Sequence, residues 1–321
     1  MNRFLAMETL RKWVPLLVLA GLCLFFTAMN PHFLTPRNFA RIAISSSPVL
    51  MVAIGVTFVI LMGSIDLSME GTVAVCAVLF ALTLNALGGS IAGWGWVAIP
   101  VALFVGAVMG AVNGLVHVRL RIPSFMASLS LGFVGIGLSL LITGGDRILI
   151  DDPLFRSLLT VRVGGFPLMM YAALACLLVA WFIQDHTTTG RNFYAVGGGE
   201  DLARASGLNV GRLRIIGFVL AGMFYALGAI FAVARLGIAE TETGRNFMFM
   251  SITSVVVGGT ALRGGEGGVW NTLIGVLIVN VIGNGMVVIG LADYFQDGVL
   301  GLLVITAVWL STDRRSLSFV K

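Results

Sequence analysis

Long apolar runs alternate with short polar breaks along most of the chain. The runs fall at about 13–29, 47–63, 71–88, 96–117, 124–143, 166–184, 213–235, 250–263, 272–290 and 295–311. Most approach the ~20 residues that a helix needs to cross a bilayer's hydrocarbon core. In lipid, a helix satisfies its backbone N–H and C=O groups within itself. The pattern therefore predicts an all-α polytopic membrane protein of about ten transmembrane helices, forming one domain over residues 1–321. The run at 250–263, with Gly258-Gly259 near its end, is short and reads as a broken or half-spanning helix. Arg11 and Lys12 precede the first run, but no small-residue cleavage site follows it. That run is expected to be a retained first helix rather than a signal peptide.

Composition agrees. Of the 321 residues, 58% are hydrophobic and 11% are charged, where a soluble domain carries roughly 25% charge. A soluble core could not bury so much apolar surface, so lipid is the expected solvent and partner. The net charge of +5 does not point to nucleic acid, because the basic residues sit in short loops between apolar runs, as membrane topology requires. With the N-terminus inside, the larger share of the 20 basic residues, Arg119, Arg121, Arg191, Arg204, Arg212, Arg214 and Arg263 among them, falls on the inner side. Both termini are then expected in the cytoplasm. Arg37 and Arg41 fall on the wrong side, which suggests an interfacial helix or a misplaced boundary. Trp13, Trp94, Trp96, Trp181, Trp270 and Trp309 lie near expected span ends, where indole rings favour the headgroup layer.

The chemistry is sparse. No P-loop is present, because neither Lys12 nor Lys321 follows a glycine, so any ATP energy must come through a partner. The sequence holds no His-Glu-x-x-His, Gly-x-Ser-x-Gly or Gly-x-Gly-x-x-Gly, and His32, His117 and His186 fall in or beside loops. Cys23, Cys76 and Cys176 lie within apolar runs and read as small buried hydrophobes. No catalytic residue, metal site or bound cofactor is expected.

Some breaks carry more information. Gly63-Ser64-Ile65-Asp66-Leu67-Ser68 interrupts an apolar region. A carboxylate at mid-membrane costs about 2.5–3.5 kcal/mol and is usually paired or lines water. The segment is either a capped loop at headgroup level or a helix break beside a solute path. Gly106, Gly110 and Gly114 share one helical face, which lets helices approach closely in lipid. Asn113 beside them needs a hydrogen-bond partner, either a neighbouring helix or a solute. Pro123 suits the start of the fifth helix. The break at 185–212 contains Gly197-Gly198-Gly199, expected as a flexible turn, then a short helix from Glu200 to Ser206 ended by Gly207. That helix is either interfacial or seated in a partner's groove. The mixed-charge segments 144–165 and 236–249 are either solvated connectors or docking loops. The glycine-dense segment from Gly258 to Gly268 is expected to be a tight, mobile turn. Asn113-Gly114 and Asn284-Gly285 fall late in the fourth and ninth runs, as two inverted five-helix halves would place them.

Taken together, these blocks resemble the membrane permease subunits of bacterial sugar ABC importers, the ribose, xylose and galactoside group, which in turn resemble the branched-chain amino-acid permeases. The resemblance covers about residues 33–308. It rests on Gly63–Gly71; on Asn113-Gly114 with Ile122-Pro123-Ser124-Phe125; on Thr189-Gly190-Arg191 with Tyr194–Gly198 and Ala203–Gly207; and on Gly258-Gly259-Thr260 with Gly264, Gly265 and Gly268. Ser64, Glu70, Gly199 and Asn271 depart from the family pattern.

The resemblance implies a subunit of the bacterial inner membrane that does no covalent chemistry. A second permease copy would complete the path, and a partner ABC ATPase would hold ATP and magnesium. A periplasmic sugar-binding protein would deliver a pentose or hexose. It further implies that Gly190, Arg191, Gly197, Glu200, Ala203 and Gly207 belong to the ATPase-coupling loop. Asp66, Asn113, Phe125 and Asn284 are candidates for lining the path. An amino-acid or other polar-solute permease is the alternative. An ion-driven transporter would need ionisable residues deep in the spans, and a membrane-embedded enzyme would need clustered His, Asp or Glu; neither pattern is evident.

Overall fold

The computed structural model describes residues 2–291 and positions 295, 298, 299, 301, 302, 305 and 306, with side chains from residue 13 onward. Every expected run up to 272–290 lies on a helix. The run at 295–311 falls largely outside the described residues, with Trp309 and the C-terminal basic residues.

Among the described residues, seven helices are long and apolar enough to cross a membrane: α2 (Pro36–Leu61), α3 (Met69–Ala86), α4 (Ala98–Arg119, extended by a 3₁₀ turn at Trp94–Val97), α5 (Ser124–Thr143), α7 (Leu168–His186), α10 (Val210–Leu236) and α12 (Val269–Val288). Two shorter apolar helices join them, Trp13–Met29 of α1 (Asn2–Met29) and α11 (Phe247–Val257). The remaining helices are α6 (Pro153–Thr160), α8 (Thr188–Gly198) and α9 (Glu200–Ala205). One end of the bundle carries α8 and α9; the other carries α6.

Helix α2 starts well before the expected residue 47. Thr35 caps it by accepting from the Asn38 N–H at 3.3 Å, and Pro36 occupies the first turn. At 26 residues the helix is about 39 Å long, longer than the ~30 Å apolar core. Arg37 and Arg41 therefore sit in the first two turns of α2, ahead of the expected start at residue 47. Helix α2 is also the centre of the bundle: 89% of its apolar window is buried, against 28% for α4, α5 and α7, whose apolar faces are largely exposed.

Glycine sets two of the close helix contacts. Gly106, Gly110 and Gly114 of α4 face α10 so closely that an added Cβ would strike the Gly222 carbonyl, the Phe218 carbonyl and the Ile215 backbone in turn. A second contact joins α3 to α5, where Gly71 meets Gly132 and Gly135. The first seam was legible as a repeat with four-residue spacing. The second was not, because its glycines lie on different helices.

Two local corrections follow. The fold is not purely helical, since Ile148–Leu149 (β1) pairs antiparallel with Ile238–Ala239 (β4), and Arg162–Val163 (β2) with Phe166–Pro167 (β3). Segment 144–165 is thus a structured cap. Asp152 anchors it by accepting from the N–H groups of Ile91 at 2.8 Å, Leu154 at 3.2 Å and Phe155 at 3.3 Å, and from the Ser90 hydroxyl at 3.1 Å. Although burial opposes the charge, these donors together hold the Asp152 carboxyl below its usual range.

The expected turn at Gly197–Gly199 is instead the end of a helix. Gly197 and Gly198 close α8, and Gly199 alone links it to α9. Packing overrides glycine's weak helix propensity here: a Cβ at Gly197 would strike the Leu61 carbonyl and the Gly265 N–H. The turn after α11 is also tied down. Gly265 N–H donates to Leu61 O at 2.9 Å, Tyr194 Oη to Gly267 O at 2.7 Å, and Val269 N–H to Gln184 Oε1 at 2.8 Å.

Candidate functional site

Between α2 and α3 the chain runs without helix from Met62 to Ser68. It passes alongside the first turns of α5, where Ser124 Oγ accepts from the Ile65 N–H at 3.0 Å and Ser128 Oγ from the Leu67 N–H at 2.9 Å. Helix α3 therefore begins part-way across the bundle. Irregular backbone at membrane depth is tolerated only where protein surrounds it, and these two serines supply that cover. Within the break Ser64, Asp66 and Ser68 are buried, while Gly63 and Ile65 are exposed.

Asp66 sits at the break, 2% exposed. Its Oδ1 accepts from the Ser68 N–H at 2.8 Å, Ser68 Oγ at 2.7 Å and Asn113 Nδ2 at 3.2 Å; its Oδ2 accepts from Tyr225 Oη at 3.1 Å. One carboxylate thereby joins the break, α4 and α10. The carboxylate also lies at the N-terminus of α3, where the helix dipole favours negative charge. Two of the sequence candidates, Asp66 and Asn113, are thus brought into contact, and in this conformation both are enclosed by protein. Tyr225 was not foreseen, and its sequence offers no cue beyond a hydroxyl in an apolar run.

Asn284 lies elsewhere. It lines a cavity of about 500 Å³ at the α6 end, with Arg41 and Ser45 of α2, Arg235 of α10, Arg245, Asn246, Phe247 of α11 and Asn280 of α12. Asn284 Oδ1 accepts from Asn38 Nδ2 at 2.8 Å, and Asn280 Nδ2 donates to Val276 O at 2.9 Å. Asn246 adopts a left-handed φ of 67° just before α11, a conformation asparagine tolerates better than most residues. The cavity thus presents amide groups, a hydroxyl, guanidinium forks and an aromatic ring. Arg245 is paired with Glu242 at 3.1 Å, and no lining residue is acidic. Asn280 was discoverable from its four-residue spacing to Asn284 on one helix face. Arg41 was visible in sequence only as a topological anomaly.

Phe125 stands apart, 42% exposed in the first turn of α5 at the opposite end. At that end lie the loop residues. Gly190 is pressed against the Gln184 carbonyl, and Arg191 is exposed on α8. Helix α9 matches the expected short helix: Ala203 is 4% exposed while Leu202 is 74% exposed, and Gly207 ends it with φ 84°. Glu200 ties α9 down, bridging Arg204 at 2.5 Å and Arg214 of α10 at 2.6 Å. The Arg204 hydrogen bond, with the nearby Arg214 charge, holds the Glu200 carboxyl below its ordinary value despite partial burial.

A bundle of apolar helices around a broken span, with a polar cleft at one end and a small anchored helix at the other, defines a multi-pass membrane transport protein. The chain belongs to the family described as the branched-chain amino acid transport system / permease component, whose model matches residues 38–308. It is 32% identical over 322 residues to the ribose import permease of Escherichia coli strain K12, covering 98% of each chain. It is 34% identical to the galactose/methyl galactoside import permease of Haemophilus influenzae, over 91% of this chain and 90% of that one. Against the D-allose transport system permease of Escherichia coli strain K12 it is 30% identical, over 93% and 91% of the two chains.

Proposed function

We propose that this chain is the membrane subunit of an ATP-driven importer that moves a monosaccharide across the bacterial inner membrane. The observation that carries the reading is the near full-length similarity to import permeases for ribose, galactosides and allose. In this reading the α6 end faces the periplasm and receives sugar from a binding protein. The α8–α9 end faces the cytoplasm, as do both termini, and its exposed α9 face meets a partner ATPase that holds ATP and magnesium. The subunit itself catalyses no covalent step. A second permease copy completes the path against the apolar faces of α4, α5 or α7. About ten spans in two inverted halves would pair α4 with α12, and α3 with the half-length α11.

The cavity chemistry supports a sugar over the amino acid that the family description names. A carboxylate is the strongest partner for an amino acid's ammonium group, and the lining has none. Sugar hydroxyls donate and accept, which suits the amides of Asn246, Asn280 and Asn284. Asn284 is therefore proposed as a path residue and Asn280 beside it. Phe125 is proposed at the inner mouth, and Asp66 and Asn113 as the groups that position α3 and α4 around the path.

The test is uptake by vesicles containing this chain with its ATPase and binding protein, using labelled ribose, galactose and allose. Uptake of one of these should require ATP and both partners, and should fall at least tenfold when Asn280 and Asn284 are both replaced by alanine. Solute movement by the chain alone, driven by an ion gradient, would overturn the reading.

A further inference from the structure

A cavity also opens at the other end of the bundle. About 780 Å³ opens between the end of α4, the α4–α5 junction, α9 and the start of α10, lined by His117, Arg121, Arg204, Asn209 and Arg214 among others. No lining residue is acidic. The adjacent Glu200, bonded to Arg204 and Arg214, offsets one of the three guanidinium charges and leaves an excess of positive charge.

Two buried polar atoms of this lining have no hydrogen-bond partner in the protein, His117 Nε2 and Arg214 Nε. The His117 ring is fixed, because its Nδ1–H donates to Ile122 O at 2.7 Å, so Nε2 is the nitrogen left open. Buried polar groups are normally satisfied; both atoms lie beneath the cavity wall, so a ligand would reach them only if the wall shifts. Arg121 adds an independent sign. Its φ of 56° lies in the left-handed region that an arginine rarely adopts, and such conformations cluster at ligand clamps. The surroundings are apolar and open: Leu120 is 65% and Met126 51% exposed. A cationic hollow at the helix ends, flanked by exposed apolar side chains, matches an anionic headgroup with its acyl chains alongside.

We propose that this cavity binds a phosphate group, carried by an acidic phospholipid headgroup or present as a free anion, and that its occupancy braces α9 against the α4–α5 junction. Arg121 and Arg204 supply the charge-assisted donors. Arg214 backs the same group with its guanidinium charge, which it shares with Glu200.

The experiment is hydrogen exchange of segments 117–125 and 204–214 in the full-length protein reconstituted in vesicles. Three arms are compared: phosphatidylcholine alone, phosphatidylcholine with phosphatidylglycerol, and phosphatidylcholine with inorganic phosphate against chloride at equal ionic strength. Ligand at tenfold excess over its dissociation constant should slow exchange in both segments about tenfold. Protection by phosphatidylglycerol alone assigns a lipid; protection by inorganic phosphate assigns a soluble anion. In either case Arg121→Gln and Arg204→Gln should abolish the effect while exchange within α2 stays unchanged. Arg121→Gly, which removes the side chain and relieves the backbone, should abolish it too. No protection in any arm, protection that survives these variants, or protection only after the ATPase is added would each overturn the proposal.

Discussion

A carboxylate surrounded by membrane helices persists only if its lone pairs are filled, and Asp66 meets that demand with four donors from Ser68, Asn113 and Tyr225. Removing one donor from a charged acceptor costs about 1.5–3 kcal/mol. Tyr225→Phe deletes only the hydroxyl, so it should lower the thermal midpoint of the detergent-solubilised protein while helix content by circular dichroism stays the same. An unchanged midpoint would show that Tyr225 adds nothing to the network. Asp66 was legible from sequence because a carboxylate interrupting an apolar run must be accounted for. Its partner was not, since Tyr225 lies 159 residues away and nothing local announces the pairing. Glu200 permits a pH prediction. Its carboxyl is held below its ordinary value of 4.5, so its contribution is complete above that pH and is lost as pH falls through the depressed folded value. Wild type should therefore melt above Glu200→Gln at pH 7, and the gap should close as the pH is taken below 4.5. A gap that widens on acidification would reverse the sign.

At the scale of elements, glycine seams decide where helices meet. Valine at Gly110 would place its Cβ on the Phe218 carbonyl, and overpacking of this kind costs about 1–3 kcal/mol. Gly137 of α5 has nothing within 4 Å, so alanine there should be neutral or slightly stabilising. Comparing the thermal midpoints of Gly110→Val and Gly137→Ala checks this; equal midpoints would mean the α4–α10 seam is not close-packed. The centres of the spans were readable because apolar length is set by the bilayer. Their ends were not. Helix α2 begins eleven residues early because Thr35 and Pro36 make a start signal ahead of a polar first turn. Helix α8 was missed because Gly197 is justified only by the Leu61 carbonyl, distant in sequence, and by the turn at Gly265.

At the scale of the whole molecule, polar groups are concentrated in a buried junction and at two cavities, and large apolar side chains are exposed elsewhere. The cleft around Asn280 and Asn284 and the anchored α9 lie at opposite ends, and α10 touches both, lining the cleft at Arg235 and holding α9 at Arg214. The break at 62–68 has a further consequence, for synthesis rather than transport. Leu67 and its acceptor Ser128 are 61 residues apart, and Ile65 waits 59 residues for Ser124. As the chain emerges from the ribosome, both N–H groups of the unwound segment lack partners until α5 follows. Bare backbone cannot rest in hydrocarbon, so α2 and α3 cannot be released singly into lipid. The stretch from Pro36 to Thr143 has to leave the translocation machinery as one folded packet.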